Sequence, residues 1–266
     1  MSQENTGGML KMAYHLKFIS QENFEKHVTD TILSYSKSLE SISLAKFNSN
    51  IIDPIKMLFD KNVFSKSYEQ LIADEIFRQR DKSNNNSIGY FHQNIFKYIR
   101  NCEVPKTGWD VIYTSPETGR KIYAELKNKH NTMNSGSAQK IYIQMQNQIM
   151  KTPEDVCFLV ETIAPKSRNI PWGCSVNGQH VEDERIRRVS MDKFYAIVTG
   201  EQNAFCQMCM QLPETLEILI KHNRNLTAGQ DTVLSELQNL SPDIQKALFL
   251  LAFRTYEGFS EKEGCS

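Results

Sequence analysis

Apolar residues recur at helical spacing through the first hundred positions. Phe24, Val28, Ile32, Tyr35, Leu39 and Ile42 form one stripe, with Ser20 placed to cap it. Asp53-Pro54 opens a second helix, since proline is tolerated in a first turn. A third runs from Ser67 to about Arg80, with Tyr68, Leu71, Ile72 and Ile76 apolar. The Asn- and Ser-rich stretch Asp81 to Ser87 reads as a loop, and a fourth helix spans Tyr90 to about Ile99. After Pro105 the period shortens to two. Trp109–Thr114 and Arg120–Lys127 alternate as strands around the turn Ser115-Pro-Glu-Thr-Gly119, which makes a hairpin. A polar loop (Asn131 to Ala138), a helix to about Met150, a buried strand Val156–Ile163 and a further strand Phe194–Thr199 follow. Helices at Ala204–Lys221 and Thr232–Arg254 complete the chain.

A helical block, a hairpin, βαβ-like material and more helices imply a mixed α/β fold around a central sheet. The expected division is a helical N-terminal region, 1–100, packed on a core, 101–266, that carries the C-terminal helices as one continuous domain. At 266 residues, 40% hydrophobic and 23% charged, the chain reads as globular and is excluded from the disordered class. No apolar run reaches the ~18 residues that span a bilayer, and Met1 to Gly8 lacks the order of a secretion signal. Six cysteines are too few for a disulfide scaffold, so a reduced, cytoplasmic setting is expected. Cys206-Gln-Met-Cys209 has metal spacing but sits in a helical stretch without a second ligand pair, and reads as packing.

The net charge is zero, with a local bias. Six basic and three acidic residues lie between Asp110 and Lys151, and six basic and four acidic between Lys166 and Lys193. From Glu201 onward nine acidic residues outnumber five basic ones. A polyanion is therefore expected at the middle of the chain.

The candidate chemistry lies on the hairpin. Residues two apart on a strand share a face, so Tyr123, Glu125 and Lys127 point one way and Ile122, Ala124 and Leu126 into the core. Asp110 enters the first strand. It joins Glu125 only if paired residue numbers add to an odd sum. A four-residue loop pairing Thr114 with Gly119, and so Asp110 with Tyr123, meets that condition, as does a bend at Asp110. Two carboxylates and the Leu126 carbonyl suit Mg²⁺, and the Lys127 amine suits water activation and phosphate charge. A cross-strand surface ion pair accounts equally for the spacing of Glu125 and Lys127.

Gly108-Trp-Asp110, the turn, and Ala124-Glu-Leu-Lys127 followed by Asn128-Lys-His-Asn-Thr-Met-Asn-Ser135 resemble the PD-(D/E)xK nuclease pattern, and more narrowly the type II restriction endonucleases that cut GGNCC sites. Ser87-Ile-Gly-Tyr-Phe-His-Gln-Asn94, Val198-Thr-Gly200 and Leu212-Pro213 extend the resemblance, which covers roughly Tyr68 to Ile220. Trp109 stands where the pattern has proline. The resemblance implies a PD-(D/E)xK core with metal at Asp110, Glu125 and the Leu126 carbonyl, and Lys127 as catalytic lysine. Such proteins often add an acid from an upstream helix; Glu75 is the candidate here, with Asp74 as rival. His92 and Gln93 are candidates to touch DNA or the active site. Lys129, Asn131, Asn134 and Lys140 are candidate phosphate contacts. Arg185, Arg187 and Arg188 are either groove contacts or a helix surface paired with Glu182 to Glu184. The expectation is Mg²⁺-dependent cleavage of double-stranded DNA at a short palindrome by a homodimer, with a cognate DNA methyltransferase as functional partner and no membrane association. A repair or junction nuclease with the same core, and a non-catalytic DNA-binding protein, are the alternatives.

Overall fold

Strand β4, Val156–Ile163, is buried at each of its first six positions. A strand covered on both faces belongs inside a sheet with parallel neighbours. The structure, a computed structural model describing residues 14–222 and 229–253, places it there. The flanking strands are Cys102–Glu103 (β1), Val111–Thr114 (β2), Lys121–Lys129 (β3), Ile186–Ser190 (β8) and Asn169–Pro171 (β5), and the sheet order is β1-β2-β3-β4-β8-β5. The β3, β4 and β8 strands are mutually parallel; β1, β2 and β5 are antiparallel to their neighbours. Cys174–Val176 (β6) and Gln179–Val181 (β7) form a separate hairpin.

Each face of the sheet has its own layer. Cys157 and Leu159 of β4 and Ile186 of β8 cluster with Tyr142, Met145 and Ile149 of α5 (Ser135–Lys151). Phe158 points the other way and meets Phe194 of α6 (Met191–Thr199), whose ring lies 5.0 Å from Phe96. The expected strand Phe194–Thr199 is therefore a helix. Its buried residues Met191, Phe194, Tyr195 and Val198 follow helical spacing, and Gly200 ends it at φ 75°.

The expected loop at Asp81–Ser87 is also corrected. Tyr68–Asn94 is one helix, α4. Burial at Ile72, Ile76, Gln79, Ser87 and Phe91 keeps helical spacing straight through the polar stretch. Gln79 donates to the Phe47 carbonyl and Ser87 shares a hydrogen bond with Ser34, so these buried polar groups have partners. The expected helix Thr232–Arg254 divides into α8, Val233–Leu240, and α9, Ile244–Phe253, at Ser241-Pro242. Its last residue, Arg254, lies outside the described residues, as do Met1 to Gly8 and Cys265. The helices Pro54–Val63 (α3) and Ala204–His222 (α7) fall close to their expected positions, Gln21–Ser36 (α1) stops short of the expected Ile42, and Leu44–Asn48 (α2) is a short helix that was not expected.

Residue contacts divide the chain into two units, Met1–Thr31 with Ile88–Asn223, and Ile32–Ser87 with Arg224–Ser266. The first holds the sheet. The core of the second joins Ile42, Phe47 and Ile72 to Val233, Leu237 and Leu248. The C-terminal helices α8 and α9 complete the core of residues 32–87.

Candidate active site

The hairpin has an odd register sum, and Asp110, at the bend before it, lies near enough to Glu125 for their charges to interact. The loop differs from expectation. Thr114 pairs with Lys121 and Val111 with Ala124, so six residues form the loop, and Asp110 lies at a bend just outside the ladder instead of opposite Tyr123. The longer loop closes with Ser115 donating to the Arg120 carbonyl and Gly119 at φ 70°.

The start of β2 fixes Asp110. Its N–H donates to the Ala124 carbonyl at 3.1 Å, and its Oδ2 accepts from the Leu126 N–H at 2.8 Å. That amide lies two residues past Ala124, the last β2 partner, so the carboxylate supplies the acceptor the strand no longer does. In an extended strand a residue's carbonyl points to the same side as its N–H, which turns the Leu126 carbonyl toward Asp110. Gln93, near the end of α4, donates to the Asp110 carbonyl at 3.2 Å.

Lys127 Nζ donates to Glu125 Oε1 at 2.7 Å. The side chains are 27% and 18% exposed, enclosed yet reachable. The Glu125 carboxyl is pushed above its ordinary range, first by burial; the Lys127 bond opposes this and the neighbouring Asp110 charge adds to it. Two acids that repel at the edge of a low-dielectric face favour a cation between them. Among the described residues no three His, Cys, Asp or Glu side chains gather as an ion cage. Mg²⁺ does not need one, because it keeps waters and is bound through one or two carboxylates plus phosphate oxygens. The donor set of two carboxylates and a strand carbonyl fits it.

The other candidates fall in different places. Glu75 lies in the second unit, where its carboxylate accepts from Arg78 and Gln79. The His92 imidazole is pushed down to about 4 by burial, which keeps it neutral near pH 7. Lys129, Asn131 and Lys140 are exposed. The Asn134 side chain caps α5 through the Ser137 N–H. Arg187 and Arg188 lie on strand β8, and Arg185 just before it, instead of on a helix. Arg185 donates to the Ile149 and Pro153 carbonyls and Asp183, and Arg187 to Asn169 and Glu184. Arg185 and Arg187 thus pair with Asp183 and Glu184.

Sequence reasoning missed Glu161 and Arg168. Glu161 is the Cα partner of Lys127 across the parallel ladder and is 0% exposed. It accepts from Arg188 Nε at 2.6 Å and pairs with Arg168. The signal was present as a carboxylate inside the apolar run Val156–Ile163, because a buried acid requires a cation.

The chain matches the family described as Eco47II restriction endonuclease over residues 16–221. It is 32% identical to the type II restriction enzyme Sau96I of Staphylococcus aureus over 231 residues, which cover 84% of this chain and 88% of that one. It is 29% identical to the type II restriction enzyme Eco47II of Escherichia coli over 214 residues, 77% of this chain and 88% of the other. The family match contains the hairpin, Glu161 and both arginines that pair with it.

Proposed function

The chain belongs to the Eco47II restriction endonuclease family and is a type II site-specific deoxyribonuclease, and on that premise we propose that it hydrolyses double-stranded DNA at a short GGNCC-like palindrome, with Mg²⁺, from a site built of Asp110, Glu125 and Lys127. The convergence of these three side chains on the end of one hairpin supports the reading. Asp110 and Glu125 bind the ion together with the Leu126 carbonyl. When bound, the ion contributes Lewis acidity toward water and phosphate. Lys127 orients the attacking water, moves its proton and offsets charge on the phosphate. The Leu126 N–H and Gln93 hold Asp110 in place. A palindrome calls for two copies related by a two-fold axis, so the working form is a homodimer, and a methyltransferase of the same specificity protects the host DNA.

Incubation with phage DNA and Mg²⁺, with the fragment ends mapped, tests this. Discrete fragments with one common end sequence are expected, and a chelator abolishes them. A smear, or cutting confined to branched substrates, contradicts it.

The raised Glu125 carboxyl gives a second prediction. Ion binding requires the ionised form, so protons compete with Mg²⁺ at a higher pH than they would at an ordinary glutamate. The Mg²⁺ concentration for half-maximal cleavage therefore rises as the pH is lowered toward the carboxylate range, and begins to rise at a higher pH than an unshifted glutamate would give. A requirement that stays flat as the pH is lowered rules this out.

A further inference from the structure

Two alternate rows of paired residues cross the sheet here. Glu125, Leu159 and Arg188 form one, and Lys127, Glu161 and Ser190 the next. Strand spacing of ~4.8 Å puts the backbone at Glu161 roughly 5 Å from that at Lys127, and β8 roughly 10 Å from it. Arg168, just before β5, is tied into this end of the sheet by Ser190, whose N–H and hydroxyl donate to the Arg168 carbonyl and whose Oγ accepts from the Arg168 N–H.

The charges here do not cancel. One wholly buried carboxylate holds two guanidiniums, so the three side chains carry a surplus positive charge. Arg188 also donates to the His130 carbonyl at 2.9 Å. Asp192, beside the same loop, accepts from Ser167. Arg168 and Arg188 remain 14% and 25% exposed, and Arg168 Nε is buried without a hydrogen-bond partner. A surplus of guanidinium charge, held rigidly by one buried carboxylate and still partly exposed, matches a phosphodiester oxygen.

We propose that Arg168 and Arg188 form a phosphate subsite next to the scissile position, with Glu161 as the positioning residue that fixes both guanidiniums. The DNA backbone then runs from Lys127 across β4 toward the β8–β5 edge. This rests on the nuclease reading above and adds the path of the strand to it.

The test is equilibrium binding of the full-length protein to a duplex containing its mapped cut site, with Ca²⁺ in place of Mg²⁺, across a KCl series. Removal of one phosphate contact lowers the salt slope by about one. Arg168→Gln is expected to bind on the order of tenfold more weakly, with that smaller slope, and in Mg²⁺ to raise KM more than it lowers kcat. Arg168→Lys keeps the charge and loses the planar guanidinium fork; it is expected to keep the slope and bind several-fold more weakly, because an ammonium does not hold Glu161 and a phosphate oxygen in the same fixed geometry. Unchanged affinity and slope in Arg168→Gln, with only a lower melting temperature, would make the cluster purely structural and overturn the proposal. Should Arg168→Gln fail to fold, Arg168→Lys decides: binding equal to wild type in both affinity and slope overturns it. If the wild-type protein neither binds nor cuts DNA, the nuclease reading itself fails; if it cuts and the variants bind normally, only the subsite does.

Discussion

Asp110→Asn and Lys127→Ala are expected to bind the recognition duplex in Ca²⁺ within about tenfold of wild type and to cleave it roughly 10²–10⁴-fold more slowly in Mg²⁺. The two substitutions act differently. Asparagine keeps an oxygen for the Leu126 N–H, so the end of β2 stays in register, while one of the two negative charges that attract the ion is lost. Cleavage by Asp110→Asn should recover partly at high Mg²⁺, because affinity for the ion is what has changed. Lys127→Ala leaves both carboxylates and removes the amine bonded to Glu125. Its loss should persist at saturating Mg²⁺ and fall on kcat. Single-turnover cleavage against Mg²⁺ concentration separates the two. A Lys127→Ala rate within a few-fold of wild type would remove this amine from the mechanism, and the ion pair with Glu125 would then be the structural feature that its spacing equally allowed.

The hairpin was legible because alternation is a local property. Ile122 and Ala124 are buried, Tyr123 and Glu125 are not, and the parity of the register follows from which residues must face the core. Loop length was not legible to the same degree, since a four-residue and a six-residue loop give the same parity. The failures share a cause, which is that tertiary context overrode local appearance. The Asn-rich segment of α4 looks like a loop until Ser87 and Gln79 find buried partners. Phe194–Thr199 looks like a strand when read as an apolar run, although Met191, Phe194, Tyr195 and Val198 already carried the helical period. The arginine run reads as a helix surface because its acids precede it, and nothing local reveals that Ile186 and Val189 are buried in a strand beside β4. The grouping of residues 32–87 with the C-terminal helices is a long-range choice with no local signature. The comparisons supply the reaction class, whereas the roles of individual residues rest on the geometry of the hairpin.

Glu161→Ala is expected to lower stability by about 3–5 kcal/mol, the cost of leaving a buried charge cluster without its counterion. At about 2–4 °C per kcal/mol for a chain of this size, the melting temperature should fall by roughly 6–20 °C. The direction follows from the geometry. Glu161 is fully buried, and both guanidiniums lose their carboxylate while Arg188 keeps only the His130 carbonyl among its bonds. Replacing all three charged side chains together tests the reason for the loss. Glu161→Leu with Arg168→Met and Arg188→Leu removes the charges as well as their pairing, and such exchanges are often neutral or stabilising by about 1–4 kcal/mol. A triple variant that melts near or above wild type yet binds DNA with a smaller salt slope would mean that the cluster is kept for the polyanion at some expense to the fold. If instead Glu161→Ala melts within a degree or two of wild type, the carboxylate does not organise the arginines, and its role as their positioning residue is lost with it.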